Sequence, residues 1–536
     1  VPYTFLKGIK TKNKLEVFPA SPTIVKILVD DKALASHFMQ QRKALLNKKK
    51  NHTNAPIYDE RLRPYQNAEV DFLINFKKGK GVFDQQRVGK TPITLVTMRE
   101  LNQNKCLILV PKSNIHKWIQ EYKKWHGGPC YTTTDWYPPQ RRKEEYSQNL
   151  GTLITNYEKL IQDYDEIIES FGSFDAIIVD EAHMLRNYKG LSFKISGKDK
   201  EDNPIKKYKS PEVTRAIMET RSLAKDAYAL TGTPAPTAQH NVFGILAFLF
   251  PDLFSSYNKA MNYYFNRKTF DLKDQNIKFS TIGKFQNKFK EKEFVEFLET
   301  FSVQTKRKDV MKWIPEVDEE IFILEPSPNV VKWHEELHKY FETEDIICPD
   351  QLSVMTRERQ LSTYPRILGL NDDGPKFKWI KNHIKDYPNT PLIIAGAFTE
   401  ILKALQTYLK DDKRVRIMHG GTSSKNRKKL EDDFQAGEYD ILIGNIKVIS
   451  LGLTLSRAEE IILLDPSLTQ ADNEQVLDRF IPTTPEEAEA KEGQTIIRLL
   501  SKDTIDEYIA KQLQRRKTEN DIINDYTRTL IKHAKL

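Results

Sequence analysis

Short, continuous apolar runs alternate along most of this chain with stretches whose apolar positions recur every three or four residues. From Arg61 the runs are Gly81 to Phe83, Lys105 to Val110, Thr152 to Thr155, Ala176 to Asp180 and Ala227 to Thr231, each ending in a polar cluster. A second series begins near Lys376, with Pro391 to Ala395, Val415 to Met418, Asp440 to Gly444 and Glu460 to Asp465. Apolar runs of strand length, separated by helical periods, are the pattern of parallel sheets covered by helices. The chain is therefore expected to be α/β, with two tandem lobes. Ahead of them, Tyr3 to Leu6, Leu15 to Phe18 and Ile24 to Val29 read as strands, with Lys10 to Lys14 as a hairpin turn and a helix from about Ala33 to Lys48. Residues 1–55 are thus expected to form a small β-rich accessory domain, closed by a basic linker.

The polar clusters carry the candidate chemistry, because ligands of open α/β sheets bind at the carboxyl ends of the strands. After Val82, the loop Phe83-Asp84-Gln85-Gln86-Arg87-Val88-Gly89 leads to Lys90-Thr91 and a helical stretch with Pro92 in its first turn. Such a loop presents backbone N–H groups to phosphates, with the Lys on the β/γ-phosphates and the Thr hydroxyl on Mg²⁺. The motif is imperfect: Asp84 stands where the strict pattern has its first Gly, and the loop interior carries Arg87. Asp180-Glu181 follows the apolar run Ile177-Ile178-Val179, ninety residues after Lys90. Two carboxylates at the end of a buried strand are costly unless a cation or a reaction uses them. Asp180 suits Mg²⁺ and Glu181 suits orienting and deprotonating an attacking water.

Composition narrows the setting. Lys and Arg exceed Asp and Glu by nine in 536 residues, which favours a polyanionic partner. Cys106, Cys130 and Cys348 are scattered without zinc-ligand spacing, so reduced, cytosolic thiols are expected. No apolar run approaches the roughly 18 residues of a membrane span, and the first residues lack a signal-peptide layout. No membrane association is expected, and the expected location is a cytoplasm, bacterial or phage-infected.

The ordered motifs resemble those of superfamily 2 helicases and, within them, the SNF2-like DNA translocases of DEAH-box, phage-type character. Leu62-Arg63-Pro64-Tyr65-Gln66 is similar to the adenine-reading Q motif, and Asp84 to Thr91 to motif I, where this family often has Asp first. Val110-Pro111-Lys112-Ser113 with Trp118 resembles motif Ia, and Thr155-Asn156-Tyr157-Glu158 motif Ib. Asp180-Glu181-Ala182-His183 resembles motif II and Leu230-Thr231-Gly232-Thr233-Pro234 motif III. Phe243 to Phe254 is similar to the stretch that opens a helical protrusion, and Thr305 to Val310 to the basic element before the inter-lobe linker. Ser450-Leu451-Gly452-Leu453-Thr454-Leu455 resembles motif V, and Gln475-Val476-Leu477-Asp478-Arg479 motif VI. The family's second motif VI arginine is replaced by Pro482 in a lengthened loop, after which Gly493 to Leu500 resumes the pattern.

The resemblance implies two RecA-like lobes binding one ATP with Mg²⁺, since no second Gly-Lys-Thr occurs. It implies lobe 1 over 56–310, with a helical protrusion at about 240–300, a linker over 311–375, lobe 2 over 376–511 and a helical tail over 512–536. By motif position, Arg63 and Gln66 take the adenine side, and Asp84, Arg87, Val88, Gly89, Lys90 and Thr91 the phosphates. Asp180 and Glu181 run metal binding and water activation, Gly452, Gln475 and Arg479 complete the site from lobe 2, and His183 with Thr231 couples nucleotide state to the lobe interface. Lys112, Asn156 and Thr454 are the implied DNA-backbone contacts. The expected protein is a monomeric, DNA-dependent ATPase acting on duplex or branched DNA. A branch-migration helicase, a nucleotide-gated DNA-binding module with weak hydrolysis, and the motor subunit of a defence or restriction assembly remain alternatives.

Overall fold

The computed structural model describes residues 55–515, except 77–78, 134–136, 149–150, 191–192, 199–203, 209, 236–238, 252–253, 255, 273–276, 341–350, 413, 451, 483 and 492. The expected accessory domain and most of the expected tail lie outside these residues. The chain divides into two compact units, Val1–Val310 and Met311–Leu536.

The first unit is built on a seven-stranded sheet. Its strands are β1 (Lys80–Val82), β2 (Cys106–Val110), β3 (Cys130–Tyr131), β4 (Thr152–Asn156) and β5 (Phe174–Val179). A hairpin of β6 (Phe193–Lys198) and β7 (Pro204–Tyr208) interrupts the series before β8 (Ala224–Leu230). A second hairpin, β9 (Phe265–Leu272) with β10 (Ile277–Phe285), precedes β11 (Ser302–Val303). The large sheet runs β11-β1-β8-β5-β2-β4-β3, and every pair in it is parallel. β2 and β4 are buried along their whole length, because helices cover both faces; continuous apolar runs are what such strands require. One charged residue enters this core: the Lys80 ammonium is wholly buried and pairs with Asp226. Asp226 also accepts from Gln103 Nε2 at 3.0 Å and from the Gly79 N–H at 3.1 Å, which fixes the base of β1.

The second unit carries a six-stranded parallel sheet of β12 (Asp318–Leu324), β13 (Leu392–Gly396), β14 (Val415–Met418), β15 (Ile441–Asn445), β16 (Glu460–Asp465) and β17 (Thr495–Ser501). Its order is β12-β17-β16-β13-β15-β14. One apolar cluster gathers Leu442, Ile461, Leu463 and Phe480, and another gathers Phe377, Ile394, Leu402 and Leu464. Alternate residues of β13 and β16 enter the two clusters, as period-two side chains on a covered sheet must.

Two segments differ from the sequence expectation. The helical protrusion expected at about 240–300 holds the helices Phe243–Leu249, Tyr257–Tyr264 and Lys288–Phe301, but the β9–β10 hairpin stands between them. Phe265 stacks on Phe285 at its base, with ring centroids 4.6 Å apart, so the aromatic residues there obey cross-strand pairing rather than a helical period. The stretch expected as a linker, 311–375, contributes β12 to the edge of the second sheet, together with the helices Pro328–Tyr340 and Gln351–Thr363. Trp333, Leu337, Val354 and Leu361 of those helices pack with Ile505, Ile509 and Leu513, so this segment belongs to the second unit's core.

Candidate nucleotide-binding site

Because β8 lies between β1 and β5, the loop after Val82, the pair Asp180-Glu181 and Thr231 emerge from adjacent strand ends. The loop reverses direction through two left-handed residues, Arg87 at φ 67° and Gly89 at φ 109°. A Cβ on Gly89 would stand 2.1 Å from Gln66 Nε2, so glycine is required there on two counts. Arg87 has no such excuse: a side chain in this conformation costs about 1–2 kcal/mol, which explains why glycine is the usual residue.

The loop is braced from the Pro64–Ile74 helix. The Tyr65 hydroxyl and Gln66 Nε2 both donate to the Val88 carbonyl, at 2.7 and 2.9 Å, and Gln66 Oε1 accepts the Arg63 N–H at 2.9 Å. The helix Lys90–Glu100 begins at the loop's end. Lys90 Nζ folds back to donate to Asp84 O at 3.1 Å, Gln85 O at 3.4 Å and Gln86 Oε1 at 3.4 Å. The Lys90 ammonium is thus held by three neutral oxygens. Thr91 comes next, half-buried in the helix's first turn.

Asp180 is the buried member of the carboxylate pair. Its Oδ2 accepts from Trp118 Nε1 at 3.0 Å, its Oδ1 accepts the Glu181 N–H at 3.0 Å, and the Tyr157 hydroxyl donates to its backbone carbonyl. Burial, then the charge of Glu181, push its carboxyl up to about 6, against the indole N–H and the Lys90 charge. Glu181 sits at φ 49°, the left-handed region. Gln86 Nε2 donates to Glu181 Oε1 at 3.4 Å, while His183 Nδ1 lies 3.2 Å from Glu181 Oε2 and 3.2 Å from Thr231 Oγ1. The Thr231 N–H donates to Val82 O at 3.1 Å, which closes the circuit onto β1. Lys90, Gln86, Glu181, His183 and Thr231 thus form one continuous polar chain across the three strand ends.

The Thr91 hydroxyl, Asp180 and Glu181 make a donor set of oxygens only, the chemistry a hard divalent cation takes. Burial and the neighbouring Glu181 charge both disfavour the ionised form of Asp180. The donor chemistry of these residues would suit Mg²⁺; among the described residues no cluster of three or more His, Cys, Asp or Glu forms an all-protein metal centre.

In the second unit, Arg479 donates to Ser450 O, next to Gly452 at φ 82°. Gln475 lies on the same helix, Gln470–Phe480, half-buried. Pro482 is buried. Arg498 pairs with Glu319 across the β12–β17 edge, and Lys491 Nζ donates to Ala458 O at 2.6 Å.

The three implied DNA contacts fare unequally. Lys112 is exposed on a single turn at the end of β2. Thr454 is half-buried, and its N–H donates to Glu431 Oε1 at 2.7 Å. Asn156 is only 5% exposed, and its side chain accepts the Lys159 N–H at 2.9 Å as the cap of the Tyr157–Gln162 helix. Its amide oxygen is thereby engaged within the fold. Sequence reasoning gave no role to Tyr65, Gln86, Trp118 and Tyr157, all of which touch the site. A tryptophan on the buried face of a helix after β2 was the available signal, but its partner lies 62 residues away.

Residues 26–198 match the SNF2-related domain and residues 375–482 the helicase conserved C-terminal domain. The ISWI chromatin-remodeling complex ATPase ISW1 of Saccharomyces cerevisiae is 20% identical over 89% of this chain and 42% of its own length. The DNA repair and recombination protein RAD54-like of Drosophila persimilis is 22% identical over 89% of this chain and 65% of its own. The chain therefore spans less than two thirds of the length of these curated relatives. Among solved structures, the Sulfolobus solfataricus SWI2/SNF2 ATPase core in complex with dsDNA covers 87% of this chain at 18% identity, with a TM-score of 0.38.

Proposed function

We propose that this SNF2-related chain, whose second unit carries a helicase conserved C-terminal domain, is an ATP hydrolase that couples turnover to movement along, or remodelling of, duplex or branched DNA. The observation that carries the reading is the polar chain from Lys90 through Gln86, Glu181 and His183 to Thr231. It joins the phosphate-seeking lysine, the carboxylate suited to water activation and the third motif through Gln86 and His183.

In this reading Lys90 leaves the loop carbonyls to hold the β/γ-phosphates, and the remaining hydrogen-bonding capacity of Gln66 faces adenine beside Arg63. Thr91 and Asp180 would hold Mg²⁺, which supplies charge neutralisation on the phosphates. Glu181, held at 3.4 Å by Gln86, orients and deprotonates the attacking water. His183 senses the change at Glu181 and passes it to Thr231. Gln475 and Arg479 are assigned to the γ-phosphate by motif position, as Lys112 and Thr454 are assigned to the DNA backbone.

One observation favours a second reading, nucleotide-gated DNA binding with weak hydrolysis: Pro482 replaces the second motif VI arginine, and neither Arg498 nor Lys491 is free of a structural partner. Phosphate release measured without nucleic acid and with single-stranded DNA, duplex and a four-way junction, beside Lys90→Ala, separates the readings. A motor gives a rate that rises with one DNA form and falls by about 10²–10³ in Lys90→Ala. Equal rates under all conditions would remove the DNA-motor reading, and ATP binding without DNA-stimulated release would favour the gated module.

A further inference from the structure

The first two residues of the nucleotide loop make contacts that a phosphate cradle does not call for. Asp84 occupies the position of the strict pattern's first glycine and is wholly buried, yet its Oδ1 accepts the Thr305 N–H at 2.8 Å. The Gln85 N–H donates to Thr305 O at 3.0 Å, and Gln85 Oε1 accepts the Arg307 N–H at 2.9 Å. Strand β11 ends at Val303, so beyond it these two residues continue the pairing in place of a strand. The Thr305 hydroxyl donates to Glu69 on the Pro64–Ile74 helix, the helix that also braces Val88. Six residues after Thr305, at Met311, the chain passes into the second unit.

We infer that Asp84 and Gln85 are positioning residues that tie the nucleotide loop to residues 305–307, so that a change in the loop is passed to the backbone leading out of the first unit. The inference rests on the nucleotide reading above. Lys90 Nζ donates to the carbonyls of these same two residues, at 3.1 and 3.4 Å. The Asp84 carbonyl and the Gln85 N–H belong to one planar peptide group. When Lys90 turns to phosphate, that plane is released on its carbonyl side while its N–H still holds Thr305 O. Any rotation therefore pulls on Thr305. This also accounts for Asp84: a glycine there would leave the Thr305 N–H without its acceptor, and the buried carboxylate is oriented by that amide rather than by a ligand.

Amide exchange of the full chain, followed in peptides spanning 302–310 with and without ADP and Mg²⁺, tests this directly. Binding is measured separately with a fluorescent ADP. Wild type should show a protected Thr305 amide whose exchange changes by about tenfold when ADP saturates the site. Asp84→Ala should lose that protection, Asp84→Asn should keep it because its amide oxygen still accepts, and Gln85→Ala should bind ADP with a smaller response at 305–307. If ADP binds wild type while exchange across 302–310 stays the same, the inference is wrong. If ADP fails to bind wild type at all, the nucleotide reading falls and takes this inference with it.

Discussion

Strands β1 and β13 each run into a helix at the carboxyl end of a parallel sheet, and the turns that leave them differ in one respect. After β1, the loop is braced at Val88 from the Pro64–Ile74 helix, and the Lys90 ammonium folds back onto its carbonyls. After β13, the N–H groups of Ala397 and Phe398 are already taken by the Asp465 carboxylate, at 2.8 and 3.3 Å, from the end of β16. Gly396 is the cost of that closeness, since a Cβ there would stand 2.4 Å from Asp465 Oδ1. The second unit thus carries a built-in anion at its strand end, whereas in the first, among the described residues, no side-chain carboxylate caps the start of the Lys90–Glu100 helix. On the function proposed above, the difference teaches that two sheets of like topology need not offer the same strand-end amides to a ligand.

The sharpest way to break this comparison is to titrate the built-in anion. Burial pushes the Asp465 carboxyl up to about 6, above the usual 3.8, with Arg359, the Ala397 amide and Lys376 opposing it. A raised carboxyl favours the fold below the unfolded value and loses that advantage as pH rises through the folded one. Asp465→Asn should therefore show a flatter stability profile: wild type loses about 3 kcal/mol relative to it between pH 4 and 6, read by urea unfolding. Parallel profiles would mean that burial does not raise the Asp465 carboxyl.

In the first unit, Gly89→Ala should destabilise by about 1–2 kcal/mol from the left-handed backbone alone, and it pushes Gln66 off Val88. ADP affinity, measured by fluorescent nucleotide, should fall along with the melting temperature; a loss of stability with affinity intact would show that the brace is not part of the site. The smallest effect belongs to Arg87→Gly. Relief of its backbone should raise stability by about 1 kcal/mol, with ADP affinity unchanged if the guanidinium serves no phosphate and reduced if it does.

Much of this was legible in order along the chain. The apolar runs located β1, β2, β4, β5 and β8, and β13 to β16; the interior strands β2, β4, β13 and β15 are buried along their whole length, which leaves few exposed positions to confuse the pattern. Spacing brought Lys90 and Asp180 into one site. What stayed illegible was contact between distant residues: Asp84 with Thr305, 221 positions apart, and Trp118 with Asp180. The edge strand β12 was hidden for another reason. Most of its residues face solvent, with Ile321 and Ile323 about half exposed, so Asp318-Glu319-Glu320 dilutes the apolar signal that marks the interior strands.

The seating of β1 bears on how the protein is made. This three-residue strand pairs with β8 on one side, through Val82 and Leu230, and with β11 on the other, through Val82 and Val303. Both partners emerge from the ribosome long after it, and closing such long loops is slow. A nascent chain that has just completed Gly-Lys-Thr has nowhere to anchor the strand that presents it. The seating of this strand, and of the loop it presents, is thus completed late in synthesis, once Val303 has emerged.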